Sequence, residues 1–176
     1  MSLSPAIREQ VRQRAQCACE FCGISEIDVG GLLTIDHFQP RSKNGTDDVE
    51  NLIYACASCN QYKQGYWAID GTAPMLWNPR QEVADRHFVE QADGQLTALT
   101  PTGVFTIKRL RLNRSQLVAA RQRRNQRLQV ERILQHYESL TTLQAQVMLQ
   151  LTHLATEQQT LLSEQRKWIR LLLRRL

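Results

Sequence analysis

Cys19-Glu20-Phe21-Cys22 and Cys56-Ala57-Ser58-Cys59 each set two thiols three residues apart, the bite with which one knuckle presents two sulfurs to a metal. Two such knuckles complete a tetrahedral set with no open position. The expected ion is therefore a structural Zn2+ held by Cys19, Cys22, Cys56 and Cys59. In a reducing compartment, thiols so spaced serve metals more often than disulfides. Cys17 is left over, expected as a partly buried free thiol. Between the knuckles stand Asp36-His37 and Glu50-Asn51-Leu52, and Asn60 follows the last cysteine directly. A carboxylate, an imidazole and two amides inside a sulfur frame suggest a second site for a harder metal.

The gap from Cys22 to Cys56 exceeds the roughly 15–20 residues of a zinc ribbon. It has room for a strand, a loop and a second strand. Residues 32–36 read as the first strand, with Asp36 and His37 at its end. Residues 39–48, rich in Gly, Asn, Asp, Ser and Pro, read as loop. Leu52, Ile53 and Tyr54 read as the second strand, and a helix begins at 59–63, giving a ββα unit. Ahead of it, residues 4–16 predict a helix with Ser4 as N-cap, Pro5 at the first position, and Ile7, Val11 and Ala15 on one face. After it, residues 87–100 read as a hairpin around Asp93-Gly94, followed by a short helix from Pro101 and a break near Asn113.

From Ser115 onward there is neither glycine nor proline, and Leu, Gln and Arg favour one helical region. Ile133, Leu140, Val147, Leu154, Leu161 and Trp168 recur every seven residues, a coiled-coil period. The second column is partial: Tyr137, Leu151 and Leu172 are apolar, while Gln144, Gln158 and Gln165 are not. A single helix over 115–176 would run about 90 Å and leave its leucines wet. It is expected to dimerise, to fold back near 139–142 or 152–160, or to dock on a partner. The division expected is a core over 1–75, a hairpin and short-helix extension over 76–114, and a basic, then heptad-patterned helical region over 115–176.

With these residues in place, the chain resembles the HNH endonuclease family in its zinc-bearing form. The resemblance rests on Asp36-His37, Pro40-Arg41-Ser42, Gly45, Glu50-Asn51-Leu52 and Cys56 through Lys63. It implies an α+β fold, a small zinc-clamped ββα-metal (HNH/His-Me finger) core carrying a long helical C-terminal extension. It implies hydrolysis of DNA phosphodiester bonds with His37 as general base and Asn51 holding the loop and orienting the histidine. It further implies that Asp36 and Asn60 bind Mg2+ or Mn2+, and that the products carry 5′-phosphate and 3′-hydroxyl ends. Residues 77–121 resemble, more loosely, an extension found in small bacterial HNH proteins.

At 176 residues the chain holds one ordinary domain or a small domain plus an extension. The formal charge of +5 is uneven. Residues 1–100 hold eight Lys and Arg against thirteen acids, a balance of −5; residues 101–176 hold fourteen against four, a balance of +10. The densest basic run is Lys108, Arg109, Arg111, Arg114, Arg121, Arg123, Arg124, Arg127 and Arg132, and the part of it from Lys108 to Arg127, with Arg41 and Lys63, supplies the expected phosphate contacts. His87, Trp67 and Trp77 are expected as packing residues. No secretory or membrane-spanning stretch is legible, so a cytoplasmic protein is expected. The expected partners are DNA, or RNA, and a second copy or another protein along the C-terminal helices. Two further readings stand beside the nuclease: a non-catalytic zinc module that binds nucleic acid, and a nuclease subunit docking through its tail on a partner such as the ATPase of a phage-defence complex.

Overall fold

The computed structural model describes residues 3–68 and 73–173. The first helix, α1 (Pro5–Arg14), starts where Ser4 predicts, its hydroxyl accepting from the Ile7 amide at 3.3 Å. It ends slightly earlier than 16, because Gln16 and Cys17 turn into left-handed backbone at φ 51° and 56°. That turn delivers the chain into the first knuckle. Val11 is fully buried against Leu52 and Tyr54, with Ile7 and Ala15 beside it, so the spacing-four face packs as the sequence predicts. An unforeseen one-turn helix, α2 (Glu26–Val29), is closed by a capping box between Ser25 and Asp28. Glu26 then takes a fork of two 2.7 Å bonds from Arg12 and a bond from the Tyr54 hydroxyl, tying α1, α2 and the second strand together. That carboxyl is held down to about 2, chiefly by Arg12 and next by Tyr54.

Strand β1 (Thr34–His37) pairs antiparallel with β2 (Leu52–Ala55), Thr34 opposite Ala55 and His37 opposite Leu52. Every residue of β2 is buried, which is why its sequence runs apolar without alternation. Helix α3 (Ala57–Lys63) begins two residues earlier than expected, since Cys56 itself is the N-cap. The 38–51 connection holds two 3-10 turns, at Arg41–Lys43 and Val49–Asn51. At Gly45 a side chain is barred by close approach: a Cβ would stand 1.7 Å from the Gln39 carbonyl oxygen.

The hairpin forms as β3 (Phe88–Glu90) and β4 (Leu96–Ala98), with Gly94 at φ 79° in its turn. Helix α4 (Pro101–Leu110) is capped by Thr100 and stopped by Arg111 in left-handed backbone. The break at Asn113 has a purpose: its amide bonds both the N–H and the C=O of Leu96, each at 2.8 Å. One core collects Cys19, Phe21, Phe38, Ile53, Trp77, Phe88, Leu110, Leu112 and Leu117. Trp77 meets Phe21 and Phe88 edge-on at 6.5 and 5.3 Å, and Trp67 meets Phe38 at 5.9 Å. His87 is buried and bonded to Thr100 and Glu82.

Contacts divide the chain into two units, Met1–Arg124 and Asn125–Leu176. Helix α5 (Ser115–Leu173) opens in the first and fills the described part of the second. The fold-back considered at 139–142 or 152–160 does not occur: the helix is unbroken through both. Thr141, Thr142, Thr152, Thr156 and Thr160 each bond a carbonyl of the preceding turn, so they satisfy themselves within the helix. Residues 126–170 are exposed throughout, and the heptad column from Ile133 to Trp168 is 45–67% exposed. The Leu172 side chain lies outside the described residues. Among the described residues, no helix is long and apolar enough to cross a membrane.

Candidate active site and four-cysteine cluster

Three elements bring the four sulfurs together. The turn after α1 presents Cys19 and Cys22, the end of β2 presents Cys56, and the first turn of α3 presents Cys59. Their Sγ atoms all lie within 4.8 Å of one another, with Cys22 and Cys56 3.8 Å apart. A tetrahedron of sulfurs about 2.3 Å from a central Zn2+ has edges of about 3.8 Å. The cluster thus has the size and chemistry of a closed zinc site. Crowding splits the thiols: Cys19 and Cys22 bond to Cys56 and lower it, Cys22 lowers Cys19, and Cys19 raises both Cys22 and Cys59. A cation at the centre would let all four ionise. Cys17 is a partly buried free thiol.

Two charged neighbours support this frame. Glu20, inside the first knuckle and nearly buried, accepts from Arg80 at 2.8 Å, Arg14 at 3.2 Å and the Tyr54 amide at 2.7 Å. It thereby pins the knuckle to α1, to β2 and to the segment beyond α3. Arg114 lies 3.8 Å from both Cys56 and Cys59 sulfurs and over the Tyr62 ring. Burial works against its charge, but Cys59 first, then Cys22 and Cys56, outweigh burial and raise its pKa.

Thr34 and Asp36 share one face of β1, and Asn60 and Lys63 one face of α3. The two faces meet: Asn60 donates to Thr34 Oγ1 at 3.3 Å, and Lys63 Nζ lies 2.9 Å from Asp36 Oδ2 and 2.7 Å from the His37 carbonyl oxygen. Thr34 gives its own proton to the Ala55 carbonyl, so it can only accept from Asn60. That fixes the Asn60 amide with nitrogen toward Thr34, and its Oδ1 bonds no described residue. Asp36 and Asn60 offer oxygen donors on neighbouring elements, a set that suits a hard divalent ion keeping several waters. Asn51 accepts from the Gln39 amide at 2.8 Å and donates to Gln39 and Thr46 carbonyls at 3.0 and 2.8 Å, closing the loop behind His37. His37 Nε2 lies 2.8 Å from Asp47 Oδ1. Sequence reasoning missed Asp47; its place in Gly45-Thr46-Asp47, beside the loop-closing Asn51, was the available signal.

The expected phosphate contacts divide sharply. Lys63, expected at the surface, is fully buried on Asp36, and Arg121 is buried on the carbonyls of Gly94 and Leu112. Both direct their charge into the fold. The physical reason is that long cationic stems can satisfy inward-facing carbonyls and carboxylates that apolar residues would strand. Arg109 is half-buried, reaching the Lys63 carbonyl and lying over Tyr66, and Arg124 pairs with Glu90. Arg41 holds Asp47. Lys108, Arg111, Arg123 and Arg127 are exposed, Arg111 lying over Tyr62.

A paired β1–β2 ribbon, a short helix, a sulfur cluster at their junction and Asp-His at the strand end define a ββα-metal arrangement within an α+β fold. Residues 19–65 match the family model described as HNH endonuclease, and the chain carries an HNH domain there. A search of curated proteins found no match, and neither did a search of solved structures.

Proposed function

We propose that the HNH domain is the active centre of a metal-dependent endonuclease that hydrolyses phosphodiester bonds of DNA. The observation that carries this is the meeting of β1 and α3, which sets Asp36 and the His37 carbonyl against the helix face that bears Lys63 and Asn60, the latter with an unengaged amide oxygen. Asp36 and Asn60 hold Mg2+ or Mn2+, and Asn51 fixes the loop. A bound ion supplies Lewis-acid stabilisation of charge on the phosphate and the leaving 3′ oxygen. His37 removes a proton from the attacking water, a task suited to imidazole near neutral pH. The four cysteines hold Zn2+ as a closed structural site. The exposed Lys108, Arg111, Arg123 and Arg127 contact the nucleic-acid backbone. Plasmid, single-stranded DNA and RNA, each incubated with Mg2+, Mn2+ or EDTA, test this reading. DNA should be cut with either metal by the wild type and by neither with His37→Ala; equal cutting by both proteins would overturn it.

The exposed apolar column on α5 favours a second feature, a nuclease subunit that assembles through its tail, with another copy or with another protein. Replacing Leu140, Leu154 and Leu161 by serine should change the hydrodynamic size or the bound partners. An unchanged assembly would remove the tail from this role.

A further inference from the structure

The bond between His37 and Asp47 decides which imidazole nitrogen is free. Asp47 Oδ1 accepts from Arg41 Nε at 2.8 Å, and its Oδ2 accepts from Arg41 Nη2 at 2.6 Å. The guanidinium can only donate, so this fork requires an ionised carboxylate. Asp47 is held below its ordinary value, first by Arg41 and then by His37. An ionised carboxylate can only accept. The ring nitrogen 2.8 Å from Oδ1 must therefore carry the proton, which makes neutral His37 the Nε2–H tautomer. Nδ1 then holds the lone pair, and it bonds no described residue.

We propose that Asp47 is a positioning residue: it fixes His37 in the Nε2–H tautomer, leaving Nδ1 to accept the proton of the attacking water, and Arg41 clamps Asp47 for that purpose. This rests on the nuclease reading above and adds which atom is the base and what orients it. It also reassigns Arg41 from phosphate contact to support. The device is a carboxylate behind a histidine, which sets tautomer and ring direction without taking the proton itself. Asp47 has no second task that competes, since both of its oxygens are engaged. Asn51 closes the other side of the same loop, and Gly45 lets it close, so Asp47 is delivered by backbone geometry as well as by Arg41.

Asp47→Ala, Asp47→Asn and Arg41→Ala separate positioning from mere loop packing. Asn at 47 with its oxygen in the Oδ1 place still meets His37 and Arg41 Nε, but sets its NH2 donor against the Arg41 Nη2 donor. Losing such a supporting partner typically lowers activity about 10–100-fold. In the zinc-loaded full chain, Asp47→Ala should lower kcat by that factor with KM changed less than about twofold. Asp47→Asn should retain more kcat than Asp47→Ala but less than wild type, and Arg41→Ala should also fall between those two. Independently of cleavage, long-range proton–nitrogen correlation spectra should report Nε2–H for His37 in the wild type and Asp47→Asn. Asp47→Ala should report a mixture with Nδ1–H. Wild-type kcat in Asp47→Ala, or an unchanged Nε2–H signal there, would overturn the proposal. If His37→Ala cuts DNA as well as wild type, the nuclease reading fails instead, and the tautomer spectra still decide what Asp47 does.

Discussion

Lys63→Met replaces the one fully buried cation of α3 by an apolar chain of similar length. Lys63 is 0% exposed, 2.9 Å from Asp36 Oδ2 and 2.7 Å from the His37 carbonyl oxygen, and the Asp36 side chain is 18% exposed. Methionine fills the volume but strands the Asp36 carboxylate and the carbonyl. Breaking a buried pair from one side costs about 3–5 kcal/mol, and the partial exposure of Asp36 places this case near the lower figure, about 3 kcal/mol. For a unit the size of residues 1–124, that corresponds to a fall in Tm of about 10 °C. Thermal and urea unfolding of zinc-loaded protein, without added Mg2+, provide the measurement. A second variant isolates the cause. Asp36→Asn with Lys63→Met removes both charges, and should be at least about 1 kcal/mol more stable than Lys63→Met alone. A loss below about 1 kcal/mol in Lys63→Met, or a double variant no better than the single one, would refute the ion pair as the reason Lys63 is buried.

Metal analysis should find one zinc per chain, and Cys59→Ser or prolonged chelation should remove it. Structural zinc supplies about 10–16 kcal/mol of folding free energy in small domains, so the near-ultraviolet signal of the Met1–Arg124 unit should collapse; an unchanged melt after metal removal would count against this. Gly45→Ala puts a methyl 1.7 Å from the Gln39 carbonyl oxygen, and should cost about 1–3 kcal/mol while lowering cleavage at least tenfold, checked by parallel unfolding and plasmid assays. Glu26 is depressed from 4.5 to about 2, so its contribution is present above pH 4.5 and is lost as pH falls through about 2. The stability gap between wild type and Glu26→Gln should accordingly narrow between those values, and a gap that is constant from pH 6 to pH 2 would contradict it.

What the sequence made legible was whatever depends on local spacing. Cysteine pairs specify a knuckle, Ser4-Pro5 a helix start, Asp93-Gly94 a turn, and an unbroken run of helix formers specifies α5. The ββα order followed from the length available between the knuckles. What it hid were the directions of long charged side chains, because an arginine or lysine reads the same whether it points to solvent or to a buried carbonyl. Lys63 and Arg121 turn inward, and Arg114 serves the sulfurs, through partners distant in sequence. Asp47 was hidden for a related reason. Its meaning lies in a contact ten residues back, made only after Asn51 and Gly45 have bent the loop. The one-turn helix α2 was missed although Ser25-x-x-Asp28 carries a capping pattern, since a single turn lacks any hydrophobic period to support it.

The start of α3 also sets an order of events for a newly made chain. The helix has seven residues, too few to persist alone in water, and the residue that caps it is a cysteine of the sulfur cluster. On the proposed zinc reading, its amide-bearing face is held against β1 only once the four sulfurs have been drawn together by their ion. Arg114, which lies against those sulfurs, leaves the ribosome more than fifty residues after Cys59. On the proposed nuclease reading, an emerging or metal-starved chain has Asp36 and His37 without the helix that packs on β1, and should not cut DNA. On that reading assembly acts as a timer: the site is complete only in a chain that has been synthesised past α4 and loaded with metal.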